Sequence, residues 1–366
     1  MTRRLPVSAA ALGLAVCWAL PALAADEPVG KEVTPGDAQA DVPGERAPVL
    51  RPGDDGKEKT GIFSFALEND LFYNTDQHYT NGIRLTYLTP KGGEPEWIRN
   101  AALALPIFNA TSDIRVEYGL GQSMFTPSNI RNPNPPATDR PYAGWLYGSI
   151  GVIGNTPGAN GSRVFDQMQV SLGVVGPASL GEPAQKLVHH IVDSPQPQGW
   201  DTQIKNEPTL QFVYQRSWQS PQFELPAGFG VDATPHAGAA LGNVFTYANT
   251  GMMLRLGQNL PVDYGAPRVQ PSLPGSGYFE PVDDIGWYLF AGLDGRAMAR
   301  NIFLDGNTFA DSRSVDKRPL VGDAQFGIAF VIRDVRLAYT HVLRTAEYYG
   351  QGADDQFGVF SVSFRF

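Results

Sequence analysis

Oxygen-bearing side chains gather at Glu68-Asn69-Asp70-Leu71-Phe72 and again at Thr75-Asp76-Gln77-His78-Tyr79-Thr80-Asn81-Gly82. Asn-Asp at one segment's end, facing Asp-x-x-x-Thr-Asn at the next one's start, collects several hard oxygen ligands, as calcium requires. The plainer alternative is a polar hairpin loop with Asn81-Gly82 as its turn. A second group, Asn129-Ile130-Arg131, offers a guanidinium whose paired donors suit an anionic headgroup. The nearby Asp139-Arg140-Pro141-Tyr142-Ala143-Gly144-Trp145 reads instead as a rim salt bridge, Asp139 to Arg140, with Tyr142 and Trp145 in an aromatic belt. A third group, Gln185-Lys186-Leu187-Val188-His189-His190-Ile191-Val192, is a short amphipathic stretch that reads as a helix, and it leads to Gly199-Trp200-Asp201-Thr202-Gln203.

Imidazole is the natural base near neutral pH, so His189 and His190 are candidates, the alternative being a solvated surface histidine. Adjacent helical residues diverge by about 100°, which argues against one shared metal ion. His78 has no evident task, and His236 and His341 fall within strand-like segments as wall residues. Ser123 lacks the Gly-x-Ser-x-Gly context of a nucleophile elbow. There is no P-loop, dinucleotide fingerprint or zinc-protease motif. With no activated Ser or Cys, water is left as the nucleophile for any hydrolysis.

The elements that must position these groups are strands. Phe63, Phe65 and Leu67 alternate with Ser64, Ala66 and Glu68; Ile83, Leu85 and Tyr87 alternate with Arg84 and Thr86. The last segment places Phe360, Val362, Phe364 and Phe366 on one face, opposite Ser361, Ser363 and Arg365. A bare apolar strand face is an aggregation hazard in water, but it is what a lipid-facing barrel strand requires. Strands are expected near 61–70, 80–89, 113–124, 142–154, 163–175, 208–218, 226–238, 243–256, 285–299, 319–333, 335–347 and 356–366. The expected fold is therefore all-β, a transmembrane antiparallel β-barrel of about twelve strands of the outer-membrane type, a secreted β-sandwich being the soluble alternative.

With both termini on the periplasmic side, the connections 71–79, 125–141, 176–207, 239–242, 300–318 and 348–355 face outward and hold the groups above. The periplasmic connections 90–112 and 257–284 are long for such a barrel.

Composition agrees. The chain has 366 residues, 42% hydrophobic and 18% charged, with 40 Gly and 30 Pro, which suits many strands joined by many turns. A net charge of −9 gives no reason to expect nucleic acid as a partner. Residues 1–24 have a basic start at Arg3 and Arg4, an apolar run and an Ala22-Leu23-Ala24 cleavage pattern, as an export signal does. Cleavage there removes Cys17, the chain's one cysteine. Residues 25–60 form a Pro-, Gly- and acid-rich lead-in, and 61–366 form the barrel.

Glu-Asn-Asp-x-Phe, Thr-Asp-x-x-Tyr-Thr-Asn-Gly, Asp-Arg-Pro-Tyr-Ala-Gly-Trp, Gln-x-x-x-His and Gly-Trp-Asp-x-Gln occur here in one order. In that order they resemble the lipid A 3'-O-deacylases of the LpxR type, from about Gly61 to Phe366. The resemblance implies a calcium-dependent outer-membrane enzyme that removes the 3'-linked acyloxyacyl chain of lipid A, the lipid anchor of lipopolysaccharide, in the outer leaflet. It implies site roles for Asn69, Asp70 and Thr80, with His189 as the base and Asp70 in the calcium-dependent cluster. Arg131 matches one of two adjacent basic residues of the best-known member, and Ile130 occupies the other position. Ser194-Pro195-Gln196 stands where that member has an acidic residue. Other functions compatible with such a chain are a narrow pore or structural barrel, and a calcium-dependent phospholipase or acyltransferase.

Overall fold

One face of every strand meets hydrocarbon and the other a filled lumen, so alternation along the sequence decides the element. The computed structural model describes residues 60–69, 78–108, 111–191, 194–263, 277–282 and 284–366. The export signal at 1–24 and the lead-in at 25–60, Thr60 apart, lie outside the described residues.

The strands are β1 (Ile62–Asn69), β2 (His78–Leu88), β3 (Asp113–Thr126), β4 (Ala143–Pro157), β5 (Arg163–Val175) and β6 (Glu207–Gln219). They continue with β7 (Phe229–Gly242), β8 (Phe245–Gln258), β9 (Ile285–Asn301), β10 (Leu320–Ile332), β11 (Val335–Arg344) and β12 (Asp355–Arg365). Each pairs antiparallel with its sequence neighbour and β12 returns to β1, which closes the barrel. A three-residue strand, Phe223–Leu225, only extends the hairpin into β7. The expected twelve-strand barrel therefore stands, with boundaries within a few residues of those read from alternation. No helix among the described residues is long and apolar enough to cross a membrane.

Leu120, Ile150, Leu172, Phe212, Leu289 and Phe360 project outward and are exposed, as a hydrocarbon-facing wall demands. Several charged strand residues turn into the lumen and pair there. Arg84 donates to Glu117 at 2.6 Å and to Gln169 at 2.8 Å. Arg255 bridges Asp232 and Asp263 at 2.5 and 2.6 Å. Asp323 receives Arg296 at 2.6 Å and Arg344 at 2.9 Å. Charges in such a setting persist only when they are paired inside the protein.

Both ends of the lumen are stoppered by aromatic rings. At the end away from the termini, α3 (Ile302–Asp305) inserts Phe303, which stacks on Phe125 at 3.9 Å between centroids and packs near Trp145 and Phe245. At the near end, Tyr278 and Phe279 pack on Ile62, Leu88, Ile153 and Val331, and the Tyr278 carbonyl accepts from Arg336 at 3.0 Å. That inserted segment explains why the connection after β8 is long. The long connection after β2 has a different use. It carries α1 (Glu96–Leu103), which alternation did not reveal, and packs Ile98, Ala102 and Phe108 on Ile114, Val116 and Val152.

A lumen filled in this way should not conduct. Purified protein in a planar bilayer is expected to show no steady ion current, and Phe303→Ala alone should leave it closed because the ion pairs and the near stopper remain. A stable porin-like conductance would contradict this packing.

Candidate active site

The site begins at an irregularity in β2. The pairing of β2 with β3 shifts between Tyr79–Phe125 and Asn81–Met124, leaving Thr80 as the extra residue of a β-bulge. Tyr79 turns inward against Phe125 and Phe357. The hydroxyl of Thr80 lies 2.6 Å from that of Thr126, both of them buried. After the bulge, Asn81 shares the outward face with Ile83, Leu85 and Tyr87. Asn69 is its partner across β1 and shares the face of Phe63, Phe65 and Leu67. On the other side Asn81 pairs with Met124, and Met124 with Gly144. A row of Asn69, Asn81, Met124 and Gly144 thus crosses the outside of β1 to β4 near the end away from the termini. Asp70 falls outside the described residues.

The connection between β5 and β6 packs on the Met124 and Gly144 end of this row. A Cβ added to Gly144 would sit 2.2 Å from the Ser179 hydroxyl and 3.2 Å from the Gly181 Cα, so the close approach requires glycine. The Gln122 amide donates to the Ser179 carbonyl at 2.6 Å. From there α2 (Gly181–Ile191) lies against β3 and β4. Met124, Tyr142 and Trp200 form a buried cluster on which Ala184 packs, and the Trp200 indole N–H donates to Gln185 at 2.8 Å.

Gly181, Gln185 and His189 make the buried stripe of α2, while Lys186, Leu187 and His190 are exposed. This four-residue spacing is one helix face. It aims His189, only 1% exposed, at the protein rather than at solvent. The His189 Nδ1 lies 2.6 Å from the Pro195 carbonyl oxygen. A carbonyl only accepts, so the ring proton sits on Nδ1 and the neutral ring keeps its lone pair on Nε2. A backbone carbonyl here orients the ring, as a carboxylate can elsewhere.

The structure therefore places Asn69 and Thr80 together at one end of the β1–β2 pair, and His189 on the helix packed against the neighbouring strands β3 and β4. Arg131 is exposed, and its backbone N–H donates to Asn129 at 3.1 Å. Its neighbour Ile130 is buried and fixes the loop, its carbonyl accepting from the Tyr142 hydroxyl at 3.0 Å and from the Gln198 N–H at 2.8 Å. His236, 2.8 Å from Asp294, and His341, against Phe326, are strand residues as expected.

Three expectations need correction. Asp139 and Arg140 are not a rim salt bridge. Arg140 is fully buried, donates to Glu347 at 3.2 Å and lies over the Phe125 ring. Asp139 accepts from Ser128 N–H at 2.9 Å and from the Tyr348 hydroxyl at 2.7 Å. Tyr142 and Trp145 are not belt residues either. Tyr142 lies beneath Trp200, and Trp145 turns inward to stack on Tyr147. Asn81-Gly82 is strand interior and makes no turn. Sequence reasoning also missed Gln185, Pro195 and Trp200 as the residues that set His189. The signal was a lone tryptophan in a loop of Gly, Gln and Asp.

The charge at this rim is self-contained. Burial pushes the Glu347 carboxyl up, but the Arg344 and Arg140 guanidiniums outweigh it and hold the carboxyl below its ordinary range. Among the described residues no group of three or more His, Cys, Asp or Glu could hold a metal ion.

Residues 12–366 match the family described as "Outer membrane protein LpxR". No curated protein sequence matches the chain. Among solved structures, LpxR from Salmonella typhimurium superposes with a TM-score of 0.66 at 20% identity, covering 83% of this chain and 99% of that one. The β domain of the Bordetella autotransporter BrkA follows at a TM-score of 0.43 and 10% identity, covering 84% and 98%.

Two outcomes follow from this geometry. Gly144→Leu should lift the β5–β6 connection from the wall, so trypsin should cut at Lys186 or Lys205 faster while the barrel keeps its heat-modifiable migration; unchanged cleavage would refute the close approach. Because the folded pKa of Glu347 is depressed, its contribution is present above the unfolded value of about 4.3 and is lost as pH falls through the folded value. Glu347→Gln should therefore lower the thermal midpoint at pH 6, and the deficit should shrink as wild type and variant are acidified below about pH 4.

Proposed function

The chain belongs to the LpxR family of outer membrane proteins, and from that membership we propose that it is a lipid A deacylase. It hydrolyses the 3'-linked acyloxyacyl ester of lipid A, with its site facing the cell exterior. The observation that carries this reading is a buried His189, its Nδ1 held by a carbonyl, on a helix packed on β3 and β4 beside the strand pair that holds Asn69 and Thr80. The ester of an outer-leaflet lipid reaches an outward-facing wall sideways, without entering the closed lumen.

In this reading His189 Nε2 takes a proton from water as the water oxygen attacks the ester carbonyl carbon. The tetrahedral intermediate collapses with the C–O bond to the sugar breaking. The imidazolium returns its proton to the sugar 3'-oxygen, and the acyl chain leaves as a carboxylic acid. Pro195 holds the ring through Nδ1, while Gln185 and Trp200 hold the helix that carries it. Arg131, in the exposed loop bonded to the β5–β6 connection, would meet a lipid A phosphate.

Calcium fits the neighbouring oxygens. Asn69, Thr80 and Asn81 offer amide and hydroxyl oxygens in a buried setting, and the Asn81 Oδ1 has no hydrogen-bond partner. Asn69, Asn81 and Thr80 would hold the ion with Asp70 supplying charge. When bound, the ion would polarise the ester carbonyl.

Mass spectrometry of lipid A from cells making the protein should show loss of the 3'-acyloxyacyl chain. His189→Ala should abolish that loss, by about 100-fold or more, while heat-modifiable migration persists. Asp70→Ala or excess chelator should do the same. Intact lipid A alongside deacylated phospholipid would point to a phospholipase, and full activity in His189→Ala would remove it as the base.

A further inference from the structure

Asn81 is 2% exposed, and among the described residues neither its Oδ1 nor its Nδ2 has a hydrogen-bond partner. An amide buried with both ends unsatisfied loses its hydration at each polar atom and regains nothing. Asn is also disfavoured inside strands, yet Asn81 stands within β2, paired with Asn69 on one side and Met124 on the other. The Thr80 bulge just before it re-aims the strand, turning Tyr79 inward while Asn81 keeps the outward face. That face is the one beneath the β5–β6 connection, because Met124 belongs to the cluster on which α2 packs. A costly, unpartnered amide on the covered wall has the marks of a group awaiting ligands.

We propose that Asn81 is a catalytic residue of this site, its Oδ1 ligating a hard divalent cation and its Nδ2 donating to the carbonyl oxygen of the acyl ester. The proposal rests on the deacylase reading and extends it. Each unsatisfied atom receives the partner its chemistry needs: a cation for the acceptor, and the oxygen that gains negative charge in the tetrahedral intermediate for the donor. Asn81 would thereby couple the ion to the ester through a single planar amide. An apolar replacement of similar size removes the two unmet polar atoms under either role, so a merely structural Asn81 would be distinguished by keeping its rate and its calcium response on that change.

The test uses full-length protein refolded in detergent, with and without calcium. Its readouts are lipid A deacylation rate and the calcium-induced rise in thermal midpoint measured without substrate. Asn81→Leu should retain heat-modifiable migration with an equal or higher midpoint in chelator. It should also lose the calcium-induced rise and at least about 100-fold in rate. Asn81→Asp separates the two ends of the amide: it should keep the calcium-induced rise, since a carboxylate ligates calcium, but lose rate because the N–H donor is gone. Asn81→Leu with wild-type rate and wild-type calcium response would overturn the proposal, as would a wild-type protein that calcium does not stabilise. A wild type that calcium stabilises but that leaves lipid A intact would instead defeat the deacylase reading. In that case the loss of calcium response in Asn81→Leu would still support the cation contact.

Discussion

A polar side chain on the hydrocarbon side of a barrel wall must be covered or satisfied, and the functional half of this molecule is organised around that constraint. Along most of the circumference the rule is met by keeping polar atoms in the lumen. Between β1 and β4, near the end away from the termini, it is broken by Asn69 and Asn81 on the outward face. The β5–β6 connection answers the breach. Its helix needs Gly144 to approach the wall, Gln122 to hold Ser179, and the Trp200–Gln185 bond to hold the helix itself. The same connection carries His189 on the helix that packs on β3 and β4, next to the strand pair that holds the asparagines.

Closing the lumen and building a site on the outer wall are two sides of one arrangement. Phe303 at one end, Tyr278 and Phe279 at the other, and the Arg–Asp and Arg–Glu pairs between them fill the interior. Several of these interior groups reach the rim. Arg140 lies over Phe125 and pairs with Glu347, which ties the connections after β3 and β11 to the aromatic stopper. The wall that carries the site is thus backed by a packed interior.

Strand positions were legible because a two-residue period with opposite solvents on its two sides leaves little ambiguity. Phe360, Val362 and Phe364 against Ser361 and Ser363 needed no tertiary information. Alternation tells which face a residue takes but not what lies upon that face, and this is where the reading of the sequence stopped. Tyr142 looked like a belt residue because its cover, Trp200, is more than fifty positions away in the chain. Asn81-Gly82 looked like a turn because the dipeptide is a turn former in isolation, whereas here two flanking strands pair through it. The α1 helix and the inserted Tyr278-Phe279 were invisible for the same reason: their partners are distant in sequence. His189 was recognisable as helical through its local amphipathic pattern, but its inward aim depends on Gly144, Met124 and Pro195.

That the partner of the His189 Nδ1 is a backbone carbonyl has a physical consequence. A carboxylate partner stabilises an imidazolium by charge, whereas the Pro195 carbonyl stabilises it only by dipole and hydrogen bond. The ring is held in one tautomer either way, but the carbonyl adds no negative charge close to an ester that itself becomes negative in the tetrahedral intermediate. Under the proposed mechanism, electrostatic work at the ester therefore shifts toward the opposite bank of the site, where Asn69, Thr80 and Asn81 stand. An amide and hydroxyl bank that would hold a cation favours a developing oxyanion, provided it is already in place and dry. The burial of Asn81, Thr80 and Thr126, costly as it is for folding, meets that condition.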